Sequence, residues 1–252
     1  MRQFFLRPVF WLAAILCTAV SAAPVLSIVA PDYWCPFSCH ETDAQPGFTI
    51  EIVRAIFEPL GYRVDFHNEN YARALVDVRA GRFDVIPSAI RAEAPDFVFP
   101  KEAVSVNRFC VYTPIASGWP YHSPADFGAR RIGVIKGYDY GPRIDAWLQS
   151  KTQHAEVHSG DDIVPRMISK LEMGRLDAFI EEEHLVDWSL FKMSHPGLRK
   201  AGCETPIPGY LGFSPTRLDA KQMAQTYDAG IVRLRKSGQL SHIMASYGLA
   251  AW

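Results

Sequence analysis

The stretch GRFDVIPSAIRAEAPDFVFP, residues 81–100, decides the fold. It reads as a helix ended by Gly81, a short continuous apolar strand over 83–87 of the kind buried in a parallel sheet, and then Arg91 emerging beyond the strand. Its opening returns at Gly174, Arg175, Leu176, Asp177, Ala178 and Phe179. Two distant parts of the chain therefore share one punctuation: helix, Gly-Arg, apolar residue, Asp, apolar strand. The repetition implies two lobes of related build, with residues 81–100 forming the floor of a ligand cleft.

Working back from Gly81, residues 68–80 read as a helix and 62–66 as an alternating strand. Residues 48–60 place Ile50, Val53, Phe57 and Leu60 on one helical face, and residues 25–30 form a strand that ends in an aromatic loop at Trp34 and Phe37. The order strand, helix, strand, helix, strand calls for an α/β sheet with right-handed crossovers. Working forward, the same order recurs as strand 131–135, helix 142–148, strand 154–158, helix 163–173 and strand 176–180, with Glu181, Glu182 and Glu183 directly after it. The chain then returns through the apolar run 210–213 and ends in an amphipathic helical region over 219–247, interrupted at Ser237 and Gly238. Residues 109–112 and 210–213 are the expected crossings between lobes.

Composition narrows the chemistry. A formal net charge of −1 without a basic stripe argues against nucleic acid as a partner. Arg2 and Arg7 precede an apolar run over 8–20 and then Ser21, Ala22 and Ala23, the layout of a secretory signal peptide. Cleavage after Ala22 is expected, and the apolar run is too short to span roughly 30 Å of hydrocarbon. Export makes disulfides the natural state of Cys35, Cys39, Cys110 and Cys203. Three pairings are open; Cys35 with Cys39 would close a small loop, and Cys110 with Cys203 would then tie two distant segments together. The segment from His154 to His158 lacks a glutamate directly after its first histidine and reads as a strand, so no metal site is expected there, and no cofactor motif occurs elsewhere.

These residues together resemble the periplasmic extracellular solute-binding proteins of family 3. The likeness spans nearly all of the chain after residue 22. In the first lobe it rests on the Trp34 to Phe37 loop, the helix between Gly47 and Gly61, Ala74 and Leu75 before Gly81 to Asp84, Arg91 six residues before Phe97, and Phe99 with Pro100. In the second it rests on Arg131 to Gly137, Gly174 to Asp177, and the terminal run from Leu234 to Gly248.

The resemblance implies a two-lobed, type II periplasmic-binding-protein-like α/β fold joined by two hinge strands. The expected division is a signal peptide at 1–22, a first lobe at 23–112 and 209–252, and a second lobe at 113–208. It implies that Arg91 pairs with a ligand carboxylate, for which a guanidinium fork is suited, with Ser88 as the hydroxyl beside it. Trp34 and Tyr71 match the aromatic residues that sandwich the ligand, core packing being the competing explanation for both. In the second lobe Tyr138 and Asp139 stand where the family offers helix-start amides and a hydroxyl, a departure under which Asp139 either faces solvent or meets a positive ligand group. Glu182 stands where the family's ammonium-binding acid falls, with a solvated helix start as the plainer alternative.

The function so implied is capture of a small polar solute, an amino acid or related compound, by a monomer that closes about its hinge and delivers the solute to an ABC transporter permease. A periplasmic dehydratase of the cyclohexadienyl type, using a cleft carboxylic acid, is the enzymatic alternative. A periplasmic sensor module is the third reading, disfavoured because no spanning segment or signalling domain follows Trp252.

Overall fold

The computed structural model describes residues 23–31, 34–136, 138, 140–150, 154–159 and 162–252. The expected signal peptide lies outside this set, as does Asp139.

In chain order the elements are β1 (Val25–Ala30), α1 (Phe48–Phe57), β2 (Arg63–Asn68), α2 (Tyr71–Arg79), β3 (Val85–Ala89) and β4 (Ser105–Asn107). Then come β5 (Phe109–Thr113), β6 (Ile132–Ile135), α3 (Pro142–Leu148), β7 (Ala155–His158), α4 (Ile163–Glu172), β8 (Ala178–Glu182), α5 (Glu183–Met193) and β9 (Arg199–Cys203). The chain closes with β10 (Ile207–Phe213), α6 (Ala220–Ser237) and α7 (Gln239–Ser246). The helices α6 and α7 meet at Gly238, whose left-handed φ of 77° ends the first and opens the second.

Two sheets result, ordered β2-β1-β3-β10-β4 and β7-β6-β8-β5-β9. In the first, β1 runs parallel to β2 and β3 while β10 is antiparallel to β3 and β4. In the second, β6 runs parallel to β7 and β8 while β5 is antiparallel to β8 and β9. Each five-stranded sheet is thus a parallel trio extended by two strands, the first of them antiparallel to both its neighbours, and the fold is the two-lobed α/β architecture expected from the repeated signature.

That signature has one physical duty in both lobes. Asp84 accepts from the backbone N–H and the hydroxyl of Ser27, each at 2.8 Å, tying β1 to the start of β3. Asp177 accepts from the backbone N–H of Arg131 at 2.8 Å, tying the start of β6 to that of β8 in the same way. Each side chain takes the backbone N–H that faces the neighbouring strand just before that strand begins.

The passages between sheets are short. The chain leaves the first sheet after Asn107 and enters the second at Phe109, so Arg108 makes one crossing; it returns between Cys203 and Ile207. Strand β5 lies wholly in the second sheet and β10 in the first, which puts the crossings a few residues before those expected from the apolar runs. Arg108 is clamped at its crossing: its guanidinium donates twice to Glu183 at 2.8 Å, and its carbonyl accepts from the Glu183 N–H at 3.0 Å.

Both bridges pair as neighbours. Cys35 and Cys39 close the turn after β1 with Cα atoms 4.6 Å apart. Cys110 and Cys203 face each other across β5 and β9 with Cα atoms 4.0 Å apart, holding the two crossing segments together on the second-lobe side.

Candidate functional site

Between the two sheets, at the crossings, lies a cavity of about 300 Å³. The first lobe supplies Pro31 and Trp34 from the end of β1, Tyr71 from the start of α2, and Ser88, Ile90 and Glu93 from the end of β3 and the turn beyond it. Asn107 and Phe109 flank the outgoing crossing, Ile207 ends the return, and Tyr138 follows β6 in the second lobe. A larger cavity of about 750 Å³ adjoins it, also lined by Tyr138 and running from Cys35 and His40 to Trp188 and Lys192 on α5. The smaller space gathers four of the side chains expected at a ligand: Trp34, Tyr71, Ser88 and Tyr138.

Trp34 is fixed by a doubly closed turn. The N–H groups of Phe37 and Ser38 donate to its carbonyl at 2.9 and 3.1 Å, its indole stacks on Phe37 with centroids 4.4 Å apart, and the Cys35–Cys39 bridge locks the far side. Gly47, at φ 112°, lets the start of α1 pass directly against the Phe37 carbonyl, where a Cβ would clash. Tyr71 opens α2 behind the cap that Asn70 provides, its side chain accepting from the Ala72 N–H at 3.1 Å. The Tyr71 hydroxyl donates to Glu93 Oε2 at 2.6 Å.

Ser88 sits at φ 59°, a left-handed conformation uncommon for a residue with a side chain. Its Oγ accepts from the buried Ser105 hydroxyl at 2.9 Å. Gly209 on β10 packs against it, because a Cβ there would lie 3.0 Å from Ser88 Cα. Across the cavity Tyr138 meets Phe109 edge-on, ring centroids 6.4 Å apart.

Two expected ligand partners are placed elsewhere. Arg91 is not among the lining residues: it donates to the Pro100 carbonyl at 2.6 Å and lays its guanidinium over the Tyr210 ring, 4.0 Å from the centroid. The turn after β3 is short, and this carbonyl and aromatic face draw the side chain away from the cleft. Nor does Arg91 pair with the neighbouring acids, for Asp96 is bound by Arg79 at 2.7 and 2.9 Å and Glu93 by Tyr71.

Glu182 is fully buried at the junction of β8 and α5, outside the cavity lining. It caps α5, accepting from the N–H groups of His184 and Leu185 at 2.7 and 3.1 Å, and also accepts from Arg108 N at 3.2 Å. Its partner His184 approaches Oε1 at 2.9 Å. Burial lowers the His184 pKa, but the hydrogen bond and charge of Glu182, with Glu183 and Asp187, outweigh it and leave the value raised. The imidazole also packs edge-on to Phe37 of the first lobe, 5.4 Å between centroids.

Glu181, its neighbour, is fully buried and pushed up to about 8, first by desolvation and further by the Glu182 carboxylate, against the Glu182 N–H that donates to it. It does not line the cavity. Among the described residues, no group of three or more His, Cys, Asp or Glu side chains is placed to hold a metal ion, and no helix is long and apolar enough to cross a membrane.

Sequence reasoning did not single out Glu93, Asn107 and Phe109 as lining residues. Asn107 carried a signal, a polar side chain two residues before an apolar strand. Glu93 carried none, since three acids and two arginines within a short run give no indication of which one turns inward.

A family model described as bacterial extracellular solute-binding proteins, family 3, matches residues 26–250. No match was found among curated proteins. Solved structures share the fold. The L-cystine solute receptor of Neisseria gonorrhoeae in its unliganded open conformation aligns with a TM-score of 0.66 at 20% identity, over 90% of this chain and 94% of that one. The second substrate binding domain of a putative amino acid ABC transporter from Streptococcus pneumoniae aligns with a TM-score of 0.65 at 20% identity, over 88% of this chain and 99% of that one. An ancestral amino acid-binding protein, described as a precursor of cyclohexadienyl dehydratase, aligns at 0.63 and 14% identity, over 88% of this chain and 94% of that one.

Proposed function

The chain belongs to the bacterial extracellular solute-binding proteins of family 3, and from that premise we propose that it is a monomeric periplasmic receptor, freed of residues 1–22, that captures an amino acid or related solute for an ABC transporter permease. One observation carries the reading. The cavity takes Trp34, Tyr71 and Ser88 from one lobe and Tyr138 from the other, and it lies beside the two short crossings about which the lobes can turn. A solute touching both walls binds the closed state better than the open one, and that difference in affinity is what drives closure.

Trp34, Tyr71 and Ser88 form the first-lobe platform, and Tyr138 is the opposing contact. Capture needs no bond-making step. Among the described residues, the carboxyl pushed up to about 8, Glu181, does not line the cavity, whereas acid-catalysed dehydration would need such a group against the substrate.

A thermal-shift panel of amino acids, amines and prephenate tests the proposal. A ligand at 100 times its Kd adds about 2.7 kcal/mol, which in a domain of this size raises Tm by roughly 5–10 °C. Stabilisation by one solute class without turnover supports capture; release of phenylpyruvate from prephenate overturns it.

A further inference from the structure

The charge inside the cleft is one-sided. Among the described residues lining the smaller cavity, the single ionisable acid is Glu93, and no Lys or Arg contributes. Four aromatic rings face the same space: Trp34, Tyr71, Phe109 and Tyr138. The two arginines nearest this cavity are already committed. Arg91 is held by the Pro100 carbonyl and the Tyr210 face, and Arg108 by both oxygens of Glu183.

From this arrangement we infer that the cavity selects a small organic cation, a protonated amine or guanidinium, and does not require a carboxylate on the ligand. The inference rests on the solute-capture reading and names its ligand class. Aromatic faces attract a cation through the ring quadrupole, most strongly where water is excluded, as it is when the lobes close. Glu93 supplies the counter-charge, and Tyr71 orients it by donating to Oε2 at 2.6 Å. The carboxylate sits at an exposed rim, so its pull on a cation is screened in the open state and grows on closure. A ligand carboxylate gains no guanidinium here and meets Glu93 as a like charge.

The remaining polar groups suit the uncharged end of such a ligand. The Ser88 oxygen is positioned by Ser105, and Asn107, 7% exposed, lies within the same wall. A volume of about 300 Å³ fits a molecule of amino-acid size.

The experiment is isothermal calorimetry near neutral pH with ligand pairs that differ by a carboxylate: agmatine against arginine and cadaverine against lysine, with glutamine and glutamate as neutral and anionic comparisons. The expected result is that at least one amine binds within about threefold of its amino acid or tighter, and that glutamate does not bind. Glu93→Gln weakens the bound cation by about tenfold or more, while Arg91→Ala leaves its Kd within about threefold. The inference is overturned if an amino acid binds and its amine is lost, if Arg91→Ala abolishes binding, or if none of the four cations binds. Arg91-dependent binding of glutamine or glutamate would leave solute capture standing and remove only this ligand class. Turnover of prephenate without cation binding would remove both.

Discussion

Replacing Glu181 by glutamine should make the protein more stable, and increasingly so as pH rises. Glu181 titrates at about 8 in the folded chain against 4.5 ordinarily, because its carboxylate would be fully buried beside Glu182. The folded state therefore holds a proton that the unfolded chain releases. Stability from this group is complete below about pH 4.5 and is lost as pH climbs towards 8. Relative to a side chain that cannot ionise, the loss is about 1 kcal/mol at pH 5, about 3 at pH 7 and about 4 at pH 8. Glutamine keeps an oxygen for the Glu182 N–H, which donates to Glu181 Oε1 at 2.7 Å. Any other packing effect of the amide is independent of pH and drops out of the slope. His184, whose pKa is also raised, lowers stability in the same direction from about pH 6.5 upward, but equally in both proteins. Urea unfolding followed by tryptophan fluorescence near pH 5, 7 and 8 measures the difference. A gap between variant and parent that widens by about 3 kcal/mol across that range is expected. A gap that stays constant would refute a protonated, buried Glu181.

Exchanging Cys110 and Cys203 for serine removes a link between residues separated by 93 positions and should cost about 2–5 kcal/mol in chemical unfolding; mass spectrometry of the unreduced parent should find no free thiol at either position. Gly209→Ala forces a methyl against Ser88 Cα and the Ser105 hydroxyl, and should weaken ligand binding by about tenfold while changing stability by about 1–3 kcal/mol, read by calorimetry and unfolding on the same sample. Trp34→Ala leaves the turn closed by its bridge but removes one aromatic wall, and should reduce affinity for a bound cation by about tenfold or more with the circular dichroism spectrum unchanged.

The fold was legible because its signals are local and repeated. Gly81 and Gly174 each end a helix with a positive φ, and Asp84 and Asp177 each take a backbone N–H from the neighbouring parallel segment, so one short motif reports the same geometry twice. The strand β4, with three residues, and β9, with a polar and glycine-containing run, carry too little apolar pattern to be read. At α5 the helix start was one of two readings of Glu182, and its burial was what stayed hidden. The cap of α5 is Glu182 itself, and an acidic triplet after a strand reads as solvent-facing until the folded chain buries all three members.

The site was legible where a residue's place follows from its neighbours in sequence. Trp34, directly before a turn closed by two cysteines, and Ser88, near the end of a buried strand, both line the cavity. Arg91 does not, because a long side chain can turn either way from an exposed position. What turns it is Tyr210, 119 positions along the chain on the returning strand, and the carbonyl of Pro100. Separation in sequence also hides Glu93, whose inward orientation depends on Tyr71, 22 positions earlier.

Capture by closure is most directly tested by small-angle X-ray scattering of the chain titrated with agmatine or arginine, whichever calorimetry shows to bind. A smaller radius of gyration is expected at saturation, with no such contraction in Trp34→Ala at the same ligand concentration. An unchanged scattering profile at ligand concentrations that saturate the calorimetric signal would contradict capture by closure.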